Sequence, residues 1–156
     1  MVEKLREITE GVKGDDNKNG LGWKFYYGRR DFQNLVETES ENDATYYFYL
    51  DPITRSPIYS KAGLPTDETE YEGRFMLLTK SDLDQEYDAQ TDERTKEKGK
   101  WLTHIKPKLE KVFGEFERKL VCDDIEIQRM STTDVINMFD ENMDGILVNF
   151  KFKVYE

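Results

Sequence analysis

The stretch Gly145–Glu156, GILVNFKFKVYE, has the most regular pattern in the sequence. Apolar Val148, Phe150, Phe152 and Val154 alternate with polar Asn149, Lys151 and Lys153. Successive side chains of a β-strand point to opposite faces of a sheet, so strict alternation predicts a strand with one buried face and one wet face. These C-terminal residues are therefore predicted to form a strand, and the fold must supply a sheet around it.

The residues just before this strand share letters with a calcium-binding loop. Asp140, Asn142 and Asp144 occupy alternate positions and Gly145 follows, as in the first half of an EF-hand loop. The last ligand position would then be Lys151, whose charge repels the ion, and the exiting helix is replaced by the predicted strand. We therefore predict no calcium site, and interpret Asn142 and the Asp144–Gly145 pair as a tight turn into the last strand.

Aromatic and β-branched residues predict further strands upstream. They are Leu21–Gly28, Ala44–Pro52, Arg74–Thr79 and Asp123–Ser131. In the second of these, the consecutive rings of Tyr46, Tyr47, Phe48 and Tyr49 point to both faces of the strand. A strand with apolar rings on both faces is usually covered on both sides, either by helices of the same chain or by a neighbouring subunit.

Two segments have helical periodicity. One is an N-terminal stripe of Val2, Leu5, Ile8 and Val12; the other is Trp101, Leu102, Ile105, Leu109, Val112, Phe113, Phe116 and Leu120. Pro107 either kinks the second helix or begins a new one, and the stretch 132–142 is predicted to form a short helical turn. The element order α–β–β–β–α–β–β predicts one α+β domain, residues 1–156. Its mostly antiparallel sheet is expected to carry the N-terminal helix and the central helix on one face.

Two connections are unusually long. Residues 51–71 contain three of the four prolines, separated by Ile53, Ile58, Tyr59 and Leu64, and are predicted to form an extended loop that lies on a partner. Residues 80–100 are almost wholly polar and are predicted to be exposed. We predict that the interface residues are Tyr46, Tyr47, Phe48, Tyr49, Ile53, Ile58, Tyr59 and Leu64.

The composition excludes several functional classes. A net charge of −10 opposes general binding to nucleic acid or anionic membranes, so neither partner is expected. The single cysteine, Cys122, precludes an internal disulfide and fits a reducing cytoplasm; we predict that it is a small core residue. The N-terminal residues lack the apolar run of a signal peptide, and no stretch approaches the ~20 apolar residues of a membrane span.

No catalytic motif is present, so we predict neither an enzyme nor a cofactor or metal site. His104 is the only histidine, and neither a nucleophile elbow nor a zinc-binding spacing accompanies it. Asp82, Asp84, Glu86 and Asp88 are interpreted as the start of a helix, because acids favour the first turn. The alternative function is a small-ligand-binding protein or a carboxylate-dependent enzyme that uses an acidic cleft near His104.

The order of elements and the ending FDENMDGILVNFKFKVYE resemble the tail-completion, terminator and ring proteins of tailed bacteriophages. Those proteins have an amphipathic N-terminal helix, a sheet, a central helix and a final strand, and many of them end in a polar turn with Asp-Gly or similar before an alternating strand. The resemblance implies a ring-forming subunit of the virion neck or tail, without catalytic residues. It implies synthesis in the cytoplasm, incorporation into the virion, and binding to copies of itself or to neighbouring virion proteins.

Overall fold

The computed structural model describes residues 1–12, 23–28, 46–80, 99, 101, 105–138 and 143–155. These residues contain helices α1 (Val2–Gly11) and α2 (Lys106–Cys122). The strands are β1 (Trp23–Tyr27), β2 (Tyr46–Leu50), β3 (Thr54–Tyr59), β4 (Pro65–Lys80), β5 (Ile125–Met138) and β6 (Met143–Tyr155). The predicted α+β class is confirmed.

All six strands belong to one sheet: five follow the order β1-β2-β4-β6-β5, and β3 pairs with β4 outside this path. The pair β1–β2 is parallel and the other pairs are antiparallel. The long strand β4 has β6 along one side from Glu68 to Lys80, so β2 and β3 share its other side, end to end. The predicted mostly antiparallel sheet is therefore confirmed.

Both helices pack on the same face of the sheet, as predicted; we call this the helix face. Leu5 and Ile8 of α1 and Leu109, Val112, Phe116 and Leu120 of α2 share one buried cluster with the sheet. The alternation in β6 is also confirmed, because Val148, Phe150, Phe152 and Val154 are buried in that cluster. Asn149, Lys151 and Lys153 lie half-buried on the opposite face.

The start of α2 settles the role of Pro107. The helix begins at Lys106, and Pro107 lies in its first turn. Amide groups there have no intrahelical partner, so the missing N–H of proline costs nothing. Pro107 therefore lies at the start of α2, the second of the two predicted alternatives, and Ile105 just before the helix also has helical backbone angles.

Two sequence-based predictions of irregular or helical structure are wrong. Residues 51–71 form strand β3, a tight turn and the start of β4, where the sequence predicted an extended loop. Pro57 is accommodated because β3 is an edge strand, and Pro65 because it is the first residue of β4. The predicted helical turn after Ser131 is instead a continuation of β5 to Met138, where Thr132, Thr133, Val135 and Ile136 favour extended backbone.

The predicted turn at Asp144–Gly145 is also wrong. Both residues lie inside β6, where Asp144 pairs with Thr79 and Gly145 with Leu78. Gly145 has no positive φ. A Cβ at this position would overlap the carbonyl oxygen of Leu77 and come within 2.8 Å of the Leu78 Cα. Glycine is therefore required for the close approach of two backbones, and not for a reversal of the chain.

Candidate interaction surface

The aromatic strand β2 is covered on both faces within the chain. Tyr46 and Phe48 lie in the helix-face cluster, and Tyr47 and Tyr49 lie on the opposite face with Met76, Leu78 and Met143. The four β2 rings are at most 4% exposed. The prediction that these four residues form an interface is therefore wrong. They are buried in the core, and a partner could reach them only if the sheet unfolded.

The remaining predicted interface residues are divided along the β3–β4 hairpin. Ile53, at its base, packs half-buried against the helix-face cluster. Ile58 is half-buried near the far end of β3. Tyr59 and Leu64, which flank the turn, are 61% and 65% exposed. Of the eight predicted residues, the structure thus leaves Tyr59 and Leu64 available on the surface; we call Tyr59–Leu64 the hairpin tip.

The hairpin tip has a defined backbone geometry. The Ser60 amide donates to the Leu64 carbonyl at 2.8 Å, and the Gly63 amide donates to the Ser60 carbonyl at 2.9 Å. Gly63 has a φ of 75°, which favours glycine. This is a three-residue hairpin loop with a left-handed third residue, and the Ser60 hydroxyl further accepts a hydrogen bond from the Leu64 amide. The sequence Ser60-Lys61-Ala62-Gly63 between two proline-containing strands carried this signal.

The hairpin extends past the described part of β6, its neighbour in the sheet. The last described residue of β6, Tyr155, is opposite Glu68, so the tip and residues 65–67 lie beyond that level. The Thr66 hydroxyl ties the two strands together by donating to the Ile58 carbonyl at 2.8 Å. Arg74 forms an ion pair with Asp51 beside the base of the hairpin. The tip is therefore an exposed apolar projection on a braced stem.

Ion pairs cross the face opposite the helices, in what we call the charged ladder. Lys151 pairs with Glu70 at 2.8 Å, Lys153 with Glu68 at 2.9 Å, and Arg129 with Glu72 at 3.1 Å. Cross-strand pairs of opposite charge stabilise a sheet and mark a surface that faces water. The Lys153 ammonium also lies 5.1 Å from the centre of the Tyr155 ring, within cation–π range. The ladder thus stabilises the stem of the hairpin from outside the core.

The charged ladder should make the thermal stability of the protein decrease at low pH. The hydrogen bond from Lys151 is the main reason that the pKa of Glu70 lies below its ordinary value of 4.5. A lowered folded-state pKa stabilises the fold above the ordinary value, and that contribution is lost as the pH falls through the lowered pKa. We expect Glu70→Gln to lower the melting temperature at neutral pH, with a difference from the unmodified protein that vanishes on acidification.

Thermal unfolding followed by circular dichroism across this pH range checks that expectation. Glu10→Gln, an exposed change on α1, serves as the matched control and should show no such convergence. A Glu70→Gln difference that persists unchanged in acid would contradict the assignment of the effect to this carboxylate.

A second feature lies at the other end of the sheet, between α2 and β5. This cleft has a volume of about 230 Å³ and is lined by Trp101, Lys106, Leu109, Glu110, Phe113, Thr132, Asp134 and Ile146. Thr132 and Asp134 belong to the part of β5 that was predicted from the sequence to be a helical turn. Their β-branched neighbours were the available signal for a strand, and hence for the cleft.

The other predicted residues are either exposed elsewhere or lie outside the described part of the chain. Cys122 is exposed at the end of α2, so its prediction as a core residue is wrong. His104, the acidic run 82–88, Asp140, Asn142 and most of the polar stretch 80–100 lie outside the described residues. Neither a cluster of metal-ligating side chains nor a helix able to cross a membrane occurs in the described ranges.

No protein-family model matches the chain, and no curated protein is significantly similar to it.

Proposed function

We propose that this protein is a structural subunit that assembles with other protein subunits through the hairpin tip. The observation that carries the proposal is the exposure of Tyr59 and Leu64 at the end of a braced projection. Interfaces are enriched in large aromatic side chains, and clustered anchors of this kind dominate binding energy. Placing both residues on one rigid turn reduces the entropy lost when a partner binds.

Other aromatic and charged groups of the sheet have structural roles, which leaves the hairpin tip as the proposed binding surface. The large aromatic side chains of β2 are used for the core, and the charged ladder pairs its charges internally. The specific form that we propose is a ring-forming subunit of a virion neck or tail. It rests on the resemblance of the element order and the alternating terminal strand to such proteins.

The double substitution Tyr59→Ser with Leu64→Ser tests the role of the tip. Because both side chains are exposed, we expect less than about 0.5 kcal/mol of change in the free energy of unfolding. Self-association, or binding to a neighbouring subunit, should weaken by at least about tenfold through loss of two apolar anchors. Sedimentation velocity over a concentration series measures this effect.

The matched control is Val121→Ser, which removes another exposed apolar side chain at the far end of α2. It should leave association unchanged. Equal association of the double variant and the unmodified protein would contradict the tip as the binding surface. A protein that remains monomeric at high concentration and binds no virion protein would contradict the proposed function itself.

A further inference from the structure

The cleft between α2 and β5 is sized for a single side chain. Its volume of about 230 Å³ is below the roughly 300–1,000 Å³ of pockets that hold drug-sized ligands. Leu109 and Ile146 contribute buried apolar surface, and Trp101 and Phe113 contribute half-buried aromatic surface. The interior of the cleft therefore favours a long side chain with an apolar stem.

The charges around the cleft favour a cation at the end of that stem. Lys106 and Glu110 approach each other to 3.9 Å and largely offset one another. Asp134 is exposed and belongs to none of the ion pairs within the described ranges, so among the described lining residues it leaves one negative charge at the cleft. An ammonium or guanidinium group is attracted to such a site in two ways. The carboxylate attracts its positive charge, and the faces of the aromatic rings attract it through cation–π contacts.

The hairpin tip presents such a side chain. Lys61 is exposed at the turn, between Tyr59 and Leu64, and it too belongs to no ion pair formed among the described residues. A lysine combines a four-carbon apolar stem with a terminal ammonium. The hydrogen-bonded turn fixes the direction in which the tip projects. The tip and the cleft therefore complement each other in size, apolar character and charge.

A single chain cannot bring these two features together. Asp134 pairs with Ile146, which pairs with Leu77, whereas the tip follows the opposite end of β4 at Pro65. These levels are roughly 40 Å apart along β4, at ~3.3 Å per residue. The cleft also lies beside β5, at one edge of the sheet, and β3 lies across β4 and β6 from it. Any contact between tip and cleft must join two molecules.

We propose that the cleft of one copy binds the hairpin tip of the next copy. The Lys61 ammonium lies against Asp134, its stem contacts Trp101 and Phe113, and Tyr59 and Leu64 cover the rim. This inference rests on the proposed function, assembly through the hairpin tip. It identifies the cleft as the surface to which the tip binds. Because different surfaces of the two copies meet, the contact repeats in one direction and produces a closed ring or an open filament.

Charge reversal tests the contact. Lys61→Glu and Asp134→Lys should each weaken self-association at least about tenfold, because like charges then face each other at the interface. An equimolar mixture of the two variants should associate again. Each intact tip then meets an intact cleft, and each reversed tip meets a reversed cleft. Sedimentation velocity and native mass spectrometry measure the mass of the assemblies.

Matched controls are Arg118→Glu on the exposed side of α2 and Glu10→Lys on α1, which change the net charge equally. They should associate like the unmodified protein. Self-association that survives both reversals, or a mixture that stays dissociated, would overturn the tip–cleft contact and leave the proposed function standing. An unmodified protein that is monomeric and binds no other subunit would overturn both.

Discussion

Replacing Gly145 with alanine is expected to lower the free energy of unfolding by about 3 kcal/mol or more. The new methyl group would overlap the Leu77 carbonyl oxygen and lie 2.8 Å from both the Cα and a side-chain methyl of Leu78. Two of these three atoms belong to the backbone of β4, which is held by β2 on one side and β6 on the other. The strand can therefore relieve the overlap only by breaking its ladder hydrogen bonds.

Gly114→Ala is the matched control for this substitution. Gly114 lies inside α2, and a Cβ there would meet no atom within 4 Å. Alanine is favoured over glycine in a helix interior, so this change should stabilise the protein by about 0.5–1 kcal/mol. Chemical denaturation of both variants measures the difference. A Gly145→Ala protein as stable as the unmodified one would show that β4 and β6 are not packed as closely as described.

Replacing Phe48 with alanine is expected to cost about 3–5 kcal/mol of stability. The Phe48 ring is 1% exposed and stacks on Phe75 with their centroids 4.4 Å apart. It also stacks on Phe25 of the parallel edge strand at 5.2 Å and meets Phe116 of α2 at 5.5 Å. The Phe48 ring thus joins two neighbouring strands and a helix, and its removal leaves a cavity between them. The surrounding rings can move into that cavity only in part.

Tyr59→Ala provides the contrast for the Phe48 substitution. It also removes an aromatic ring from a β-strand, but at a position that is 61% exposed, so stability should change by less than about 0.5 kcal/mol. Urea denaturation gives both values. A loss below about 1 kcal/mol for Phe48→Ala would mean that the helix-face cluster is loosely packed around this ring. The comparison also separates the core aromatic residues from the one proposed to bind a partner.

The alternation of Val148, Phe150, Phe152 and Val154 was sufficient to predict β6 and its buried face. The stripe of Leu5 and Ile8 likewise predicted α1. These predictions succeeded because period-two and helical patterns are local, and each element needs only one apolar face to be recognised. The α+β class followed from the order of such elements.

Roles that depend on neighbours were not predictable in the same way. Tyr46, Tyr47, Phe48 and Tyr49 have the composition of an interface, but the chain buries them itself. Asp144 and Gly145 have the letters of a turn, but β4 lies against them along their whole length. Proline content indicated a loop at 51–71 because local propensity does not show that β3 would be an edge strand, where proline is tolerated.

The sequence by itself determined which segments alternate, which carry an apolar stripe, and that the protein is acidic with a single cysteine. Only the tertiary structure decided which aromatic residues are exposed, why Gly145 must be glycine, and that Asp134 joins Trp101 in one cleft. The physical reason is the distance along the sequence over which each interaction acts. Periodicity reflects a residue's immediate neighbours along the chain, whereas burial, backbone approach and clefts are set by strands and helices distant in sequence.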